Sequence, residues 1–399
     1  MPMPLEGIKV LDFTIWQHGA YGATMLADLG AEVVKVEEPE SGDLARWYIS
    51  QSPDGFNSYF QAHNRGKKSL SVNLKHPKGR GIIYRLATKV DVVTENYAYG
   101  VMDKLGVGYK DLASLNPRLI YASATAFGSR GPIAHWRGMD AIFQAMGGAM
   151  VNQGGGPGNR PVPVAIPIGD QVGGMIFAQA IITALLVRER TGLGQYVETS
   201  GVASQIALQS WRTLATLRHG GIDRRQSPPG RFGTNPTWHF YQDGDGQWFA
   251  LGLMAHQGWP PFCQAVGRPE WVEDERFASL QARMGNQELE NLLTALFATE
   301  PRDHWLARLQ AVGVPCGPIY SYGELIADPQ VAANDYVVEI EDPHWGKIRV
   351  PGVPWRFEKT PAGPRRGAPE LAEHTEEVLT GIGGYSWDEV AQFHEEKVI

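Results

Sequence analysis

A chain of 399 residues is longer than one ordinary hydrophobic core organises, so two domains, or one large domain with a substantial insertion, are expected. A composition of 43% apolar and 20% charged residues without low-complexity tracts is that of a globular chain, and a net charge of −7 argues against nucleic acid or an anionic membrane as the main partner. Two cysteines, Cys263 and Cys316, exclude a disulfide framework or a thiolate metal site and fit a reducing cytoplasm; no histidine pair has zinc spacing.

In chain order, Met1 to Gly7 lacks the basic and apolar regions of a secretory signal, and no uninterrupted apolar run is expected to cross a membrane. Ile8–Thr14 reads as a buried strand, Gln17–Gly22 as a glycine turn, Ala23–Leu29 as a helix ended by Gly30, and Glu32–Glu37 as a second strand stopped by Pro39. Strand, turn, helix and strand within this span make a βαβ unit with a parallel sheet. A dinucleotide fingerprint is incomplete there, because Gln17 stands where its first glycine belongs, although Glu37 ends the second strand where a ribose-binding acid would stand.

Lys67–Lys75, Asp91–Asn96 and Leu119–Thr125 continue the strands, with a helix over Arg80–Lys89. Ligands of open parallel sheets bind beyond the carboxyl ends of the strands, so Gln17, Asn96, Tyr97 and the segment around Asp140 share a candidate rim. Lys67, Lys68, Lys75, Lys104 and Arg137 lie near the same ends, and as a group in an acidic chain they suit a phosphorylated ligand. Gly154–Gly158 lacks the Lys-Ser/Thr of a phosphate loop and reads as a turn or flap.

Asp170 stands between glycines, just ahead of an apolar run from Met175 to Val187 expected to be a helix buried on nearly every side. Two roles are open to it: capping that helix, or, with glycines leaving the carboxylate open, acting as a covalent nucleophile. A strand ending at Ser200 and a helix from Val202 to His219 follow; the Arg-, Pro- and Gly-rich stretch to Pro236 is a linker into a smaller domain. That domain has a hairpin of Trp238–Tyr241 with Gln247–Gly252, helices near Trp259–Val266 and Glu288–Thr299, and a closing segment Gly313–Pro318. The expected division is 1–220, 221–330 and a C-terminal return over 331–399, an α/β protein with a Rossmann-like parallel sheet and a smaller α+β domain.

The chain resembles the class III CoA-transferases, the CaiB/BaiF type that includes formyl-CoA transferase, carnitine CoA-transferase and α-methylacyl-CoA racemase. The resemblance spans almost the whole chain through Leu5–Thr14, Ala27–Glu37, Glu95-Asn96, Gly106–Tyr109, Leu115–Tyr121, Gly169-Asp170, Thr191–Gln195, Gly313–Pro315 and Glu373–Glu377. It implies that Asp170 is the nucleophile of CoA transfer between carboxylic acids, with Gln17 beside the thioester. It implies CoA contacts at Lys75, Asn96, Tyr97, Lys104, Arg137 and Asp140, with coenzyme A as co-substrate, no tightly bound cofactor, no metal and an interlocked homodimer. Where several relatives carry an arginine after the second strand, this chain has Glu38, and Pro228–Pro236 lacks the glycine run of formyl-CoA transferases. The racemase alternative needs a histidine where Met139 stands and a glutamate where Ala255 stands; a non-catalytic CoA-binding subunit is the other alternative. Trp16, Trp47, Tyr48 and Trp238 are candidates to line an acyl pocket for an aromatic or longer acid.

Overall fold

Six short runs rich in Val, Ile, Leu and Thr pair in parallel: β1 (Lys9–Asp12), β2 (Glu32–Glu37), β3 (Lys68–Ser71), β4 (Val92–Glu95), β5 (Ile120–Thr125) and β6 (Tyr196–Ser200). Their order is β3-β2-β1-β4-β5-β6, so the direction of winding reverses between β1 and β4. Side chains alternate across a strand, and both faces are buried. Leu11, Val34, Val93 and Tyr121 enter one core, while their neighbours Val10, Val33, Val92 and Ile120 enter the other. This is the three-layer α/β arrangement expected of the sequence, and its crevice lies at the β1/β4 switch.

The computed structural model describes residues 1–48, 52–220 and 234–399. They fall into two units, Met1–Ala149 with Pro163–Gly220 and Ala333–Ile399, and Met150–Val162 with Gly221–Ala332. The sheet belongs to the first. So does the C-terminal return, whose hairpin β10–β11 (Val337–Asp342 and Gly346–Pro351) precedes helices that bring Val378, Leu379, Val390 and Phe393 onto the Leu11 core. In the second unit, β7 (Trp238–Gln242), β8 (Trp248–Gly252) and β9 (Cys316–Pro318) form an antiparallel sheet over a core of Phe249, Trp259, Phe262, Phe297 and Trp305. The short β9 and the Arg302–Ala311 helix were not expected from periodicity. The expectation for residues 221–233, most of the linker and of the glycine-poor loop, lies outside the described residues.

Two helices on the Val10 side differ from the sequence reading. The first spans His18–Asp28, taking in Gly19 and Gly22, which were read as a turn. These helical positions are glycine because a neighbour comes close: a β-carbon on Gly22 would lie 2.8 Å from the Gly174 carbonyl oxygen and 2.9 Å from the Phe177 ring. The other spans Ile168–Thr191 and contains Asp170 in its first turn instead of following it. Its glycines are accordingly packing residues. A β-carbon on Gly173 would meet the His18 ring at 2.4 Å, and one on Gly174 would meet the His18 carbonyl oxygen at 2.7 Å. This helix is buried on one side only: Met175, Ile182, Leu186 and Val187 are exposed. At 24 residues it is long and apolar enough to cross a membrane by length and composition alone, although Gln179 and Thr183 interrupt its apolar run.

Candidate active site

At the switch point the chain leaves β1 through Phe13 and Thr14 and turns into the His18–Asp28 helix. Trp16, within that turn, adopts the left-handed conformation at φ 60°, which is costly for a bulky side chain and persists only where surroundings impose it. They are visible. Asn96, just past β4, accepts from the Ile15 N–H and donates to the Ile15 carbonyl, both at 2.8 Å, while Asp43 accepts from the Trp16 N–H at 3.2 Å. Asn96 thus spends its amide holding the turn that aims Gln17, where the sequence suggested a ligand contact.

Beneath the turn lies a closed set of charges. Lys35 pairs with Asp43 and Lys67 with Asp12, each at 2.8 Å and with all four side chains shut off from water. Lys35 also donates to the Thr14 carbonyl at 2.6 Å, and Asp12 accepts from the Thr14 and Thr94 hydroxyls. Burial would raise the Asp12 pKa, but Lys67 and Lys35 beside it bring it below the ordinary value. Burial brings Lys67 down to about 8 despite Asp12. Lys67 is therefore part of the floor, and Lys68 pairs with Glu32 and Glu377, so neither serves as a phosphate contact. Glu37 is likewise spent, accepting from Arg46, the Asp43 N–H and the Ser69 hydroxyl, which removes the ribose-binding role.

Asp170 lies half-buried at the third position of its helix. The cap of that helix is another carboxylate: Asp140 Oδ1 accepts from the N–H groups of Gly169 at 2.7 Å and Asp170 at 3.2 Å, and Oδ2 accepts from Gln144 at 2.7 Å. Among the described residues no donor reaches the Asp170 carboxylate. Burial, reinforced by the negative charge of Asp140, raises its pKa to about 7. Gln17, almost fully buried, donates from Nε2 to Gln171 Oε1 at 2.7 Å, beside the nucleophile candidate. Tyr59 is near enough for Asp170 to act on its hydroxyl, although burial is the larger cause of its raised pKa. His18 and His63 complete the cluster, both neutral because burial pushes each down to about 4.

The structure therefore brings Gln17, Asp140 and Asp170 together. Tyr97 packs against the Leu11 core, and Lys75, Lys104 and Arg137 stand exposed without an ion pair among the described residues. Lys75 is close enough to Glu38 to help depress its pKa, after the larger effect of the Ser41 hydroxyl. Trp47 is exposed, with its indole N–H donating to the Ser41 carbonyl at 2.6 Å; Trp16 packs against Ala45 and Phe60. Trp238 belongs to the second unit, and the Tyr48 side chain lies outside the described residues. Gln171 and His63 carried no motif, although Gln171 directly follows the singled-out Gly-Asp pair. Among the described residues no group of three His, Cys, Asp or Glu side chains could hold a metal.

The family model for CoA-transferase family III matches residues 5–375. The chain belongs to that family. CoA-transferase family III relatives of similar length agree. The chain is 34% identical over 383 residues to succinyl-CoA:glutarate CoA-transferase of Mus musculus, covering 96% of this chain and 87% of that one. It is 33% identical over 401 residues to succinyl-CoA–D-citramalate CoA-transferase of Chloroflexus aurantiacus, covering 100% and 98%. Among solved structures, a CAIB/BAIF family protein from Brucella suis superposes with a TM-score of 0.83 at 32% identity, covering 96% of this chain and all of that one. The chain is thus a family III CoA-transferase, with CoA as its co-substrate.

Proposed function

We propose that this CoA-transferase moves CoA from an acyl-CoA donor to a carboxylic acid through covalent adducts on Asp170. The observation that carries the reading is a half-buried carboxylate at the sheet's switch-point rim, released from capping by Asp140 and flanked by the Gln17–Gln171 amides. An Asp170 oxygen attacks the thioester carbon; the C–S bond breaks, CoA leaves as thiolate, and a mixed anhydride forms. The thiolate then attacks the Asp170 carbonyl carbon, releasing the donor acid and leaving an aspartyl-CoA thioester. The acceptor carboxylate attacks that thioester, expelling thiolate and forming a second anhydride. Thiolate attack on the acceptor's carbonyl yields the new acyl-CoA and restores Asp170. The acyl oxidation level never changes, so thioester energy is conserved provided water is excluded.

Lys75, Lys104 and Arg137, exposed and without an ion pair among the described residues, are the cations we assign to the CoA phosphates. Position 139 holds a methionine that is 65% exposed and offers no base, so nothing favours proton exchange at Cα. Both curated relatives named above act on succinyl-CoA, which makes it the first donor to test. We also propose a homodimer. Met175, Ile182 and Leu186 on one helix and Trp211, Leu214 and Leu217 on another are exposed apolar side chains that a partner copy would cover. Mass spectrometry after incubation with succinyl-CoA, without acceptor, tests the chemistry: CoA or succinyl mass on the Asp170 peptide is expected. Turnover without any such adduct would overturn the assignment.

A further inference from the structure

The helix that carries Asp170 begins with all of its first donors taken. A helix leaves the N–H groups of its cap and first three residues without partners inside it. Here the cap is Pro167, which has no N–H to offer. Ile168 donates to the Ile166 carbonyl at 2.7 Å, across a tight turn centred on Pro167 at φ −70° and ψ 69°. Gly169 and Asp170 donate to Asp140 Oδ1 at 2.7 and 3.2 Å. A carboxylate in the first helical turn ordinarily accepts from such groups, which favour its charged form and blunt it as a nucleophile. None is left for Asp170.

The arrangement depends on Asp140 accepting with both oxygens, and Gln144 requires it to. Gln144 is almost fully buried, one turn further along the Asp140–Met146 helix. Its Oε1 accepts from the Val164 N–H at 2.9 Å, which fixes the other end of the amide as nitrogen. That Nε2 donates to the Val164 carbonyl at 3.2 Å and to Asp140 Oδ2 at 2.7 Å. Residue 140 therefore meets donors on both sides, Gln144 at one oxygen and the helix start at the other. An amide there would turn a donor toward one of them; only a carboxylate accepts at both. We propose that Gln144 is a positioning residue. Through Asp140 it keeps the Gly169 and Asp170 N–H groups away from the Asp170 carboxylate, leaving that group free to attack the thioester. The inference rests on the Asp170 chemistry proposed above.

Hydrogen exchange and a double-mutant cycle test it. In the full-length parent, the Gly169 and Asp170 amide hydrogens, read on the Val164–Gln171 peptide, should exchange as slowly as those deeper in the helix. Exchange at the rate of an unprotected peptide would overturn the clamp. Asp140→Asn sets its new donor against Gln144 Nε2, and Gln144→Glu sets carboxylate against carboxylate. In the double variant the amide at 140 donates to the carboxylate at 144, and its oxygen caps the helix again. We expect each single variant to speed this exchange and lower kcat, both by about tenfold or more, with KM for acyl-CoA within about twofold. The double variant should regain slow exchange and come within about fivefold of the parent kcat. Losses that multiply in the double variant, or no loss in either single one, would overturn the inference. An exchange cycle that fails in a protein that still labels Asp170 sinks the clamp alone. Full turnover by Asp170→Ala sinks the carboxylate chemistry and leaves the exchange cycle untouched.

Discussion

Asp140 Oδ1 accepts the backbone N–H of Asp170 at 3.2 Å, so one carboxylate caps the helix while the other, in its first turn, is left without a donor among the described residues. The two roles open to Asp170 are thereby divided between two residues. The arrangement has an electrostatic cost that is also its use: a second negative charge next to a half-buried acid keeps Asp170 a stronger base than a solvated aspartate.

Asp170→Ala should remove most turnover, by about a thousandfold or more, with the fold intact. A transferase assay run beside thermal denaturation checks it. A melting temperature within a few degrees of the parent, together with lost activity, is the expected pair.

Turnover should depend on pH through this group. The nucleophile must be ionised, and its pKa is raised to about 7, so kcat/KM should rise with pH through that value. Asp140→Asn keeps an acceptor for the Gly169 N–H but removes the charge. Its pH–rate profile should therefore shift its midpoint downward; an unchanged midpoint would show that burial alone sets the value.

Stability should run the other way. Asp170 has a folded-state pKa of about 7 and an unfolded value near 3.8, so its contribution is fully favourable below 3.8 and is lost as pH rises through 7. Asp170→Asn should then be more stable than the parent at pH about 8, on the order of 2–4 kcal/mol, with the gap closing towards pH about 4. Urea melts at the two pH values measure it.

Two helical glycines, one buried and one exposed, predict opposite signs. Gly173→Ala sets a methyl carbon 2.4 Å from the His18 ring and should cost about 1–3 kcal/mol. Gly81→Ala, in the middle of the Pro77–Ala87 helix with nothing within 4 Å of the new carbon, should stabilise by up to about 1 kcal/mol. Equal effects at both sites would contradict the packing described.

Lys67→Met should be among the most damaging single changes outside the reactive group. It strands the fully buried Asp12 opposite an apolar side chain, and breaking such a pair costs about 3–5 kcal/mol. Calorimetry of the variant checks the magnitude.

The sheet was legible because its strands carry local signals. β2 was read as Glu32–Glu37 and is found there, since a Val-rich run is fenced by Gly30 and Pro39. Gly19 and Gly22 misled for an equally physical reason: a glycine admitted by a neighbouring helix looks, in sequence, like one required by a turn. The Gly-Asp pair and Gln17 came from a family resemblance, and the structure adds what surrounds them. Lys67 reads in sequence as one of the cations suited to a phosphorylated ligand because its partner Asp12 is remote in the chain. Asn96 acts through two hydrogen bonds to the Ile15 backbone, which no periodicity encodes.

The interlocked pairs Lys35–Asp43 and Lys67–Asp12 bear on how such a protein diversifies. Evolution cannot remodel a dry ionic foundation one mutation at a time, because each single replacement leaves an opposite charge unanswered. Drift in acid preference must therefore be carried by residues standing above it. Libraries that aim to redirect specificity should leave those four positions untouched.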